Sequence, residues 1–346
     1  MTHETLQKKQ LQSFTALLVY NPNALPRDFM QQKHYDKFFA AVIAFTAHQL
    51  RYVWIDNGDY GWIRSIANSQ DSRPFVYRML LPFLSRLAEK ITGVDAVACL
   101  FFLIVLSGIG FYYSVRYLYT TFRDDAYTDI ITFAVCEFTI ILLLVSIEVY
   151  DLASVMFFTL SLALLANRKY WLFFVIFPIA TLNRETTILL TGFFALYLWN
   201  KLPRRVWIGG TLYQAIVYIL IKLAVNRYFA HLPGMTFDWA WREVLIVYWH
   251  RYMLTGLILL IMLALLYFIL KQWKKKPEFL RAAFLLIFPA LVVIHLLIGQ
   301  AFELRVLGEI FPVTVMLAMY PTRSSKDESV SSEISTKELN QRLNDS

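Results

Sequence analysis

Cysteine is nearly absent: Cys99 and Cys136 are the only two in 346 residues. Both sit inside apolar runs, where a buried thiol behaves as a small hydrophobe, so neither a disulfide framework nor a zinc centre is indicated. His231 and His250 stand too far apart for a helical metal pair, and no metal-ligating residues are expected. Also missing is the apolar core of a cleavable signal peptide. The first roughly 35 residues are polar, so the first hydrophobic helix is expected to act as its own start signal and to leave the N-terminus in the cytoplasm. No internal repeat is visible, which tells against the inverted-repeat plan of many transporters. The net charge of +8 is spread over short loops beside apolar runs, so no nucleic-acid partner is expected.

What the chain does have is apolar surface. Hydrophobic residues make up 58% of it and aromatics 16%, and several runs approach the ~20 residues that a bilayer-spanning helix needs. The expected class is all-α, a polytopic integral membrane protein. Its parts are a cytoplasmic segment over 1–36, a membrane domain over 37–320 and a disordered, charged, Ser-rich cytoplasmic tail over 321–346. Apolar segments run over 37–54, 96–120, 129–147, 152–166, 170–182, 186–199, 206–224, 252–270, 280–299 and 304–320, giving about ten transmembrane or membrane-embedded helices. The loops alternate in charge. Lys8, Lys9, Lys33 and Lys37 precede the first segment; Arg168 and Lys169, then Lys201, Arg204 and Arg205, then Lys271, Lys274, Lys275 and Lys276 follow at alternate turns. With the N-terminus inside, all of these lie in the cytoplasm of an inner, or plasma, membrane protein, and so does the C-terminus. Segments 170–182 and 186–199 are each shorter than a full crossing. A short hairpin preserves the alternation and puts its tip, Asn183 to Thr186, below the outer surface, where charge survives only beside protein or water.

The opposite face then collects Asp56, Asp59, Asp71, Arg73, Arg78, Glu148, Asp151, Asn183, Arg184, Glu185, Glu303, Arg305 and Glu309, together with the loop 226–251. Asp56 and Asp59 flank Gly58 and have an ordinary reading as turn residues. After Arg73 and Tyr77 an amphipathic segment follows, with Tyr77, Leu80, Leu81, Leu84, Leu87, Ala88 and Ile91 on one side and Arg78, Ser85, Arg86, Glu89 and Lys90 on the other. It should lie in the interface, with Pro82 distorting its first turns. Glu148 and Asp151 share one face of a helix start, where a capping role competes with a chemical one. Arg305 and Glu309, four apart, can pair with each other. Glu137 lies mid-span and needs a partner from another helix. Trp239 and Trp241, with neighbouring rings, read first as an aromatic belt and second as a platform for a sugar or lipid head.

The strings GDY at 58–60, RPFVYRMLLPFL at 73–84, VYDL at 149–152, LNRETTILL at 182–190 and FELRVLGEIFP at 302–312 look like those of bacterial polytopic membrane proteins associated with the GT-C superfamily. That family is one of membrane glycosyltransferases using polyprenyl-phosphate-linked sugars. The resemblance implies transfer of a sugar from a lipid-phosphate donor to a glycan, lipid or protein acceptor on the extracytoplasmic face. It also implies an acid of the first outer loop as general base. Asp59 matches that position best and Asp56 is its substitute; no further cofactor is certain, and a divalent metal is compatible with the pattern. The chain departs from many members in lacking a paired Asp-Asp or Asp-Glu signature. Outer arginines, Arg78, Arg184 and Arg305, suit a lipid phosphate, whereas a nearby carboxylate would make Arg184 (through Glu185) and Arg305 (through Glu309) structural ion pairs. Two other readings remain: an O-antigen-type polymerase or ligase, and a transporter or lipid flippase for which Glu137 speaks.

The topology has a direct test. Cysteines introduced near 59, 150, 184, 240 and 303 should react with an impermeant thiol reagent added outside, slowly at the hairpin tip. Labelling of position 203 or 275 from that side would refute the arrangement.

Overall fold

The computed structural model describes residues 35–56, 60–71, 73, 75–144, 148–234, 246–247, 249–298 and 304–320. The chain forms two compact units, residues 1–38 and residues 39–346. Of the first only 35–38 are described, as the opening of helix α1 (Tyr35–Asp56). Then follow α2 (Tyr60–Ala67), α3 (Leu80–Thr92), α4 (Ala96–Thr120), α5 (Thr128–Leu143), α6 (Asp151–Ala166), α7 (Tyr170–Asn183), α8 (Ile188–Tyr197), α9 (Arg204–Tyr228), α10 (Tyr252–Leu270), α11 (Glu278–Ile298) and α12 (Phe311–Met319). Among the described residues no strand forms; a single bridge joins Arg73 to Gly234.

Among the described residues three helices are long and apolar enough to cross a membrane: Ala96–Thr120, Arg204–Tyr228 and Glu278–Leu297. A helix of 25 residues is about 37 Å long, against a hydrocarbon core of about 30 Å. Many apolar residues of α9 and α10 face outward, although Val225 and Ile269 are buried. Ile216, Ile219 and Leu223 of α9, and Leu257, Leu260, Leu263 and Tyr267 of α10, are all exposed. Such a surface is stable only against lipid or another apolar partner. The buried core forms instead around α4 and α6, where Phe111, Tyr112, Val115, Leu152, Val155 and Phe158 lose contact with solvent.

Helices α7 and α8 make the expected hairpin. A 3-10 turn, Glu185–Thr187, joins them without a longer loop. The apolar stretch expected over 304–320 begins differently: Leu304–Ile310 is a 3-10 helix, and only Phe311–Met319 is α-helical. It packs closely because Gly308 faces α5. A Cβ at this glycine would fall 2.5 Å from Leu143 Cδ2.

The segment after Arg73 departs from the expected pattern. In α3 the buried residues are Leu80, Leu81, Pro82 and Ser85, and the Ser85 hydroxyl donates to the Pro82 carbonyl at 2.9 Å. Phe83, Leu87 and Ile91, four residues apart in turn, are exposed. The helix therefore has two apolar stripes, one packed and one outward. Pro82 does not distort it. It falls in the first turn, whose N–H groups have no intrahelical acceptor in any case.

At the other end of the bundle Lys276 holds two helix ends together. Its ammonium donates to the carbonyls of Phe268 and Ile269 in α10 (2.6 and 2.7 Å) and of Leu317 in α12 (2.6 Å). These are among the last carbonyls of each helix, which have no intrahelical donor and carry the negative end of the helix dipole. Burial pushes the Lys276 ammonium down to about 8, against the pull of the three oxygens. Replacement by Met strands those carbonyls and should cost about 2–3 kcal/mol, read as a lower thermal midpoint in detergent. The proton linkage has a defined sign. Between the folded value of about 8 and the ordinary 10.5 the unfolded chain keeps a proton that the folded chain has released, so this group adds stability as pH rises through that window. The parent should show that slope, and Lys276→Met should lose it.

Candidate functional site

Five stretches far apart in sequence meet at one end of the helices: the segment before α3, the start of α6, the α7–α8 tip, the 3-10 helix Leu304–Ile310, and the C-terminal part of α9. The start of α6 is organised by Asp151. Its Oδ2 accepts the backbone N–H of Glu148 at 2.7 Å, so the carboxylate closes the turn ahead of the helix, and its Oδ1 accepts from Arg184 Nη1 at 3.0 Å. Capping and charge pairing are thus served by one side chain.

Arg184 lies between two carboxylates. Besides Asp151 it faces Glu309, with Nε 3.3 Å from Oε1; the Thr186 hydroxyl donates to the same oxygen. All three charged groups are buried. Next to them Asn183 donates to Ser154 Oγ at 2.8 Å and to the Tyr150 carbonyl at 3.4 Å, which pins the hairpin tip to α6. Arg305 Nη1 sits 2.5 Å from Glu148 Oε1 and 3.9 Å from Asp151 Oδ2. Glu148 also accepts from the Tyr150 hydroxyl at 3.1 Å. Tyr150 in turn accepts from Arg78 Nη1, whose guanidinium lies 4.4 Å from the Tyr150 ring centre. A continuous chain therefore runs Arg78, Tyr150, Glu148, Arg305, Asp151, Arg184, Glu309.

Glu185 lies at the side of this chain, in the field of Arg78 and Lys222. Lys222, from α9, also stands 5.1 Å over the Tyr77 ring. The named ionic groups balance: Arg78, Arg184, Lys222 and Arg305 against Glu148, Asp151, Glu185 and Glu309.

Of the expected site residues, Tyr77, Arg78, Glu148, Asp151, Asn183, Arg184, Glu185, Arg305 and Glu309 come together. Arg73 goes elsewhere. Its N–H donates to the Pro233 carbonyl at 2.9 Å and its Nη2 to the Gly234 carbonyl at 2.7 Å. Gly234 has φ +106°, and a Cβ there would lie 2.4 Å from the Arg73 carbonyl oxygen, so this clasp needs glycine. Asp59, Trp239, Trp241 and Glu303, and the side chain of Asp56, lie outside the described residues.

Two expected pairings are corrected. Arg305 does not pair with Glu309, and the ion-pair partners of Arg184 are Asp151 and Glu309 rather than Glu185. In a 3-10 helix four residues amount to one and a third turns, so Arg305 and Glu309 diverge by about 120° and meet different neighbours. Ser154 and Lys222 escaped the sequence reading, while Tyr150 and Thr186 stood in its strings without being named as site residues. Lys222 carried a signal, being the lone cation within the apolar stretch 206–224; Ser154 carried none.

The geometry is that of a charge-balanced network in which Arg184 and Arg305 are already engaged by carboxylates and act first as ion-pair partners. Among the described residues no group of three or more metal-ligating side chains is present. No protein-family model, curated protein or solved structure matches the chain.

Arg184→Ala would leave Asp151 and Glu309 buried without their shared cation, which should cost about 3–5 kcal/mol. Arg184→Lys, a point charge that cannot serve both carboxylates, should fall between it and the parent. Thermal unfolding in detergent measures both; a parent-like midpoint for Arg184→Ala would mean that the network does not hold the fold.

Proposed function

We propose that the chain is a GT-C-type membrane glycosyltransferase. In this reading it moves a sugar from a polyprenyl-phosphate-linked donor to a glycan, lipid or protein acceptor on the extracytoplasmic side of the plasma membrane. It does so within a domain of about ten membrane segments whose two termini are cytoplasmic. The observation that supports it is the meeting of Arg78, Arg184, Lys222 and Arg305 with four carboxylates at one end of an otherwise apolar bundle. Burying that many charges is costly, and a protein that only had to pack its helices could do so with apolar contacts.

The roles follow from chemistry and placement. Asp59, or Asp56 in its stead, takes the proton of the acceptor hydroxyl; the oxygen attacks the anomeric carbon, and the bond from that carbon to the phosphate oxygen breaks with its electron pair leaving on the lipid phosphate. Arg78, which follows the first outer loop in sequence, and Lys222 are the cations that neutralise this leaving group. Arg184 and Arg305 hold the frame through their carboxylates. Trp239 and Trp241 offer faces for the sugar. Glu137, the residue that speaks for a transport reading, meets a partner from another helix: the Thr46 hydroxyl donates to its Oε1 at 3.1 Å.

The test uses purified protein in nanodiscs with a labelled polyprenyl-phosphate sugar. Asp59→Asn should bind the donor as the parent does and lose transfer by about 10²- to 10⁴-fold. Arg78→Gln should weaken donor binding and leave the thermal midpoint nearly unchanged. Transfer of preassembled oligosaccharides rather than single sugars would favour the polymerase or ligase reading. A parent that binds no lipid-phosphate sugar would end the proposal.

A further inference from the structure

Helices α6 and α7 carry the charged network at one end, at Asp151 and Asn183; at their other end they border a depression. Arg168, Tyr170, Tyr197, Lys201, Glu278 and Phe279 are among the residues lining its half-open volume of about 650 Å³, a size typical of small-ligand sites, roughly 300–1,000 Å³. Its floor is aromatic. Tyr197 stacks on Phe193 at 5.1 Å and meets Phe279 edge-on at 5.3 Å. Lys201 Nζ lies 3.6 Å above the Tyr197 ring and 2.5 Å from Glu278 Oε1.

Arg168 supplies an independent observation. It ends α6 in the left-handed region, at φ +57°. Its N–H reaches the Leu165 carbonyl at 3.1 Å, and that of Lys169 reaches Leu164 at 2.8 Å. This is the helix-ending motif whose left-handed position is normally glycine, because a Cβ there is strained. A cation at the helix C-terminus gains a few tenths of a kcal/mol from the helix dipole, but the left-handed position itself favours glycine over arginine. Among the described residues Arg168 makes no ion pair, and exposed Lys169, Arg204, Arg205, Lys274 and Lys275 stand in the adjoining turns. A left-handed, exposed arginine facing a depression with a second cation, Lys201, is compatible with an anionic ligand there.

We propose that this depression binds the headgroup of an anionic phospholipid, with Arg168 and Lys201 on the phosphate and Tyr170, Tyr197 and Phe279 against the glycerol and first methylenes. The charge is complementary, and basic pockets between membrane helices are suited to such headgroups. Exposed Trp171, Leu196 and Trp199 provide an apolar surface beside the depression for the acyl chains. Glu278 occupies Lys201 until the phosphate displaces it. The inference does not depend on the glycosyltransferase reading.

The experiment measures phosphatidylglycerol binding to the full chain in detergent, by native mass spectrometry and by the shift in thermal midpoint. Phosphatidylglycerol should bind and raise the midpoint, whereas phosphatidylcholine and inorganic phosphate should not. Arg168→Gly should keep or raise the lipid-free midpoint, since glycine relieves the left-handed strain, yet weaken phosphatidylglycerol binding by about fivefold or more. Lys201→Gln should weaken it likewise, and Glu278→Gln should tighten it. The pair Arg204→Gln with Arg205→Gln removes two charges outside the depression and should change binding little. Equal losses from that pair and from Arg168→Gly would reduce the effect to general attraction and overturn the proposal. Protection by inorganic phosphate equal to that by the lipid would replace it with a soluble-anion site.

Discussion

Arg184 between Asp151 and Glu309 is the contact on which the other features depend. An unpaired ion at such a depth costs several kcal/mol, and two carboxylates cannot both be buried there without a cation to share. Meeting that demand fixes three things at once. The hairpin tip must stop at the level of the start of α6, the turn before α6 must close through Asp151, and the 3-10 helix Leu304–Ile310 must present Glu309 inward. Asn183 and Thr186 complete the arrangement by tying the buried tip to Ser154 and Glu309.

The opposite end solves a different problem by similar means. There Lys276 closes α10 and α12 by answering carbonyls that no backbone donor can reach, and Lys201 ties the α8–α9 turn to α11 through Glu278. Between the two ends the outward surface is apolar, on α9 and α10 above all. The bundle is therefore divided along its axis: charged and organised at one end, cationic and partly open at the other, and apolar in between.

An ion network is a weak stabiliser compared with apolar packing of the same volume. Its chemical value lies in rigidity: arginines held by carboxylates keep their orientation while a neighbouring cation meets a ligand. Arg78 and Lys222 occupy that neighbouring position, one engaging the Tyr150 hydroxyl and the other lying over the Tyr77 ring. In the proposed reading, a phosphate arriving there would find cations whose supports are already in place.

The apolar periodicity by itself determined the helices. The expected segment 96–120 matches α4, 252–270 matches α10, and 170–182 with 186–199 gives the hairpin, because the length and apolarity of a buried helix are properties of its own residues. The acidic and basic residues that gather at the site were also legible, since each stood at the edge of an apolar run. Their partners were not. Arg305 and Glu309 are four apart, but spacing predicts a pair only on an α-helix, and the backbone there is 3-10 because Gly308 must approach Leu143 closely. The inward turn of Ser85, the recruitment of Lys222 and the left-handed Arg168 are likewise decided by which neighbours lie within a few ångströms. That is fixed by how helices distant in sequence pack, and pattern along one strand of sequence does not contain it.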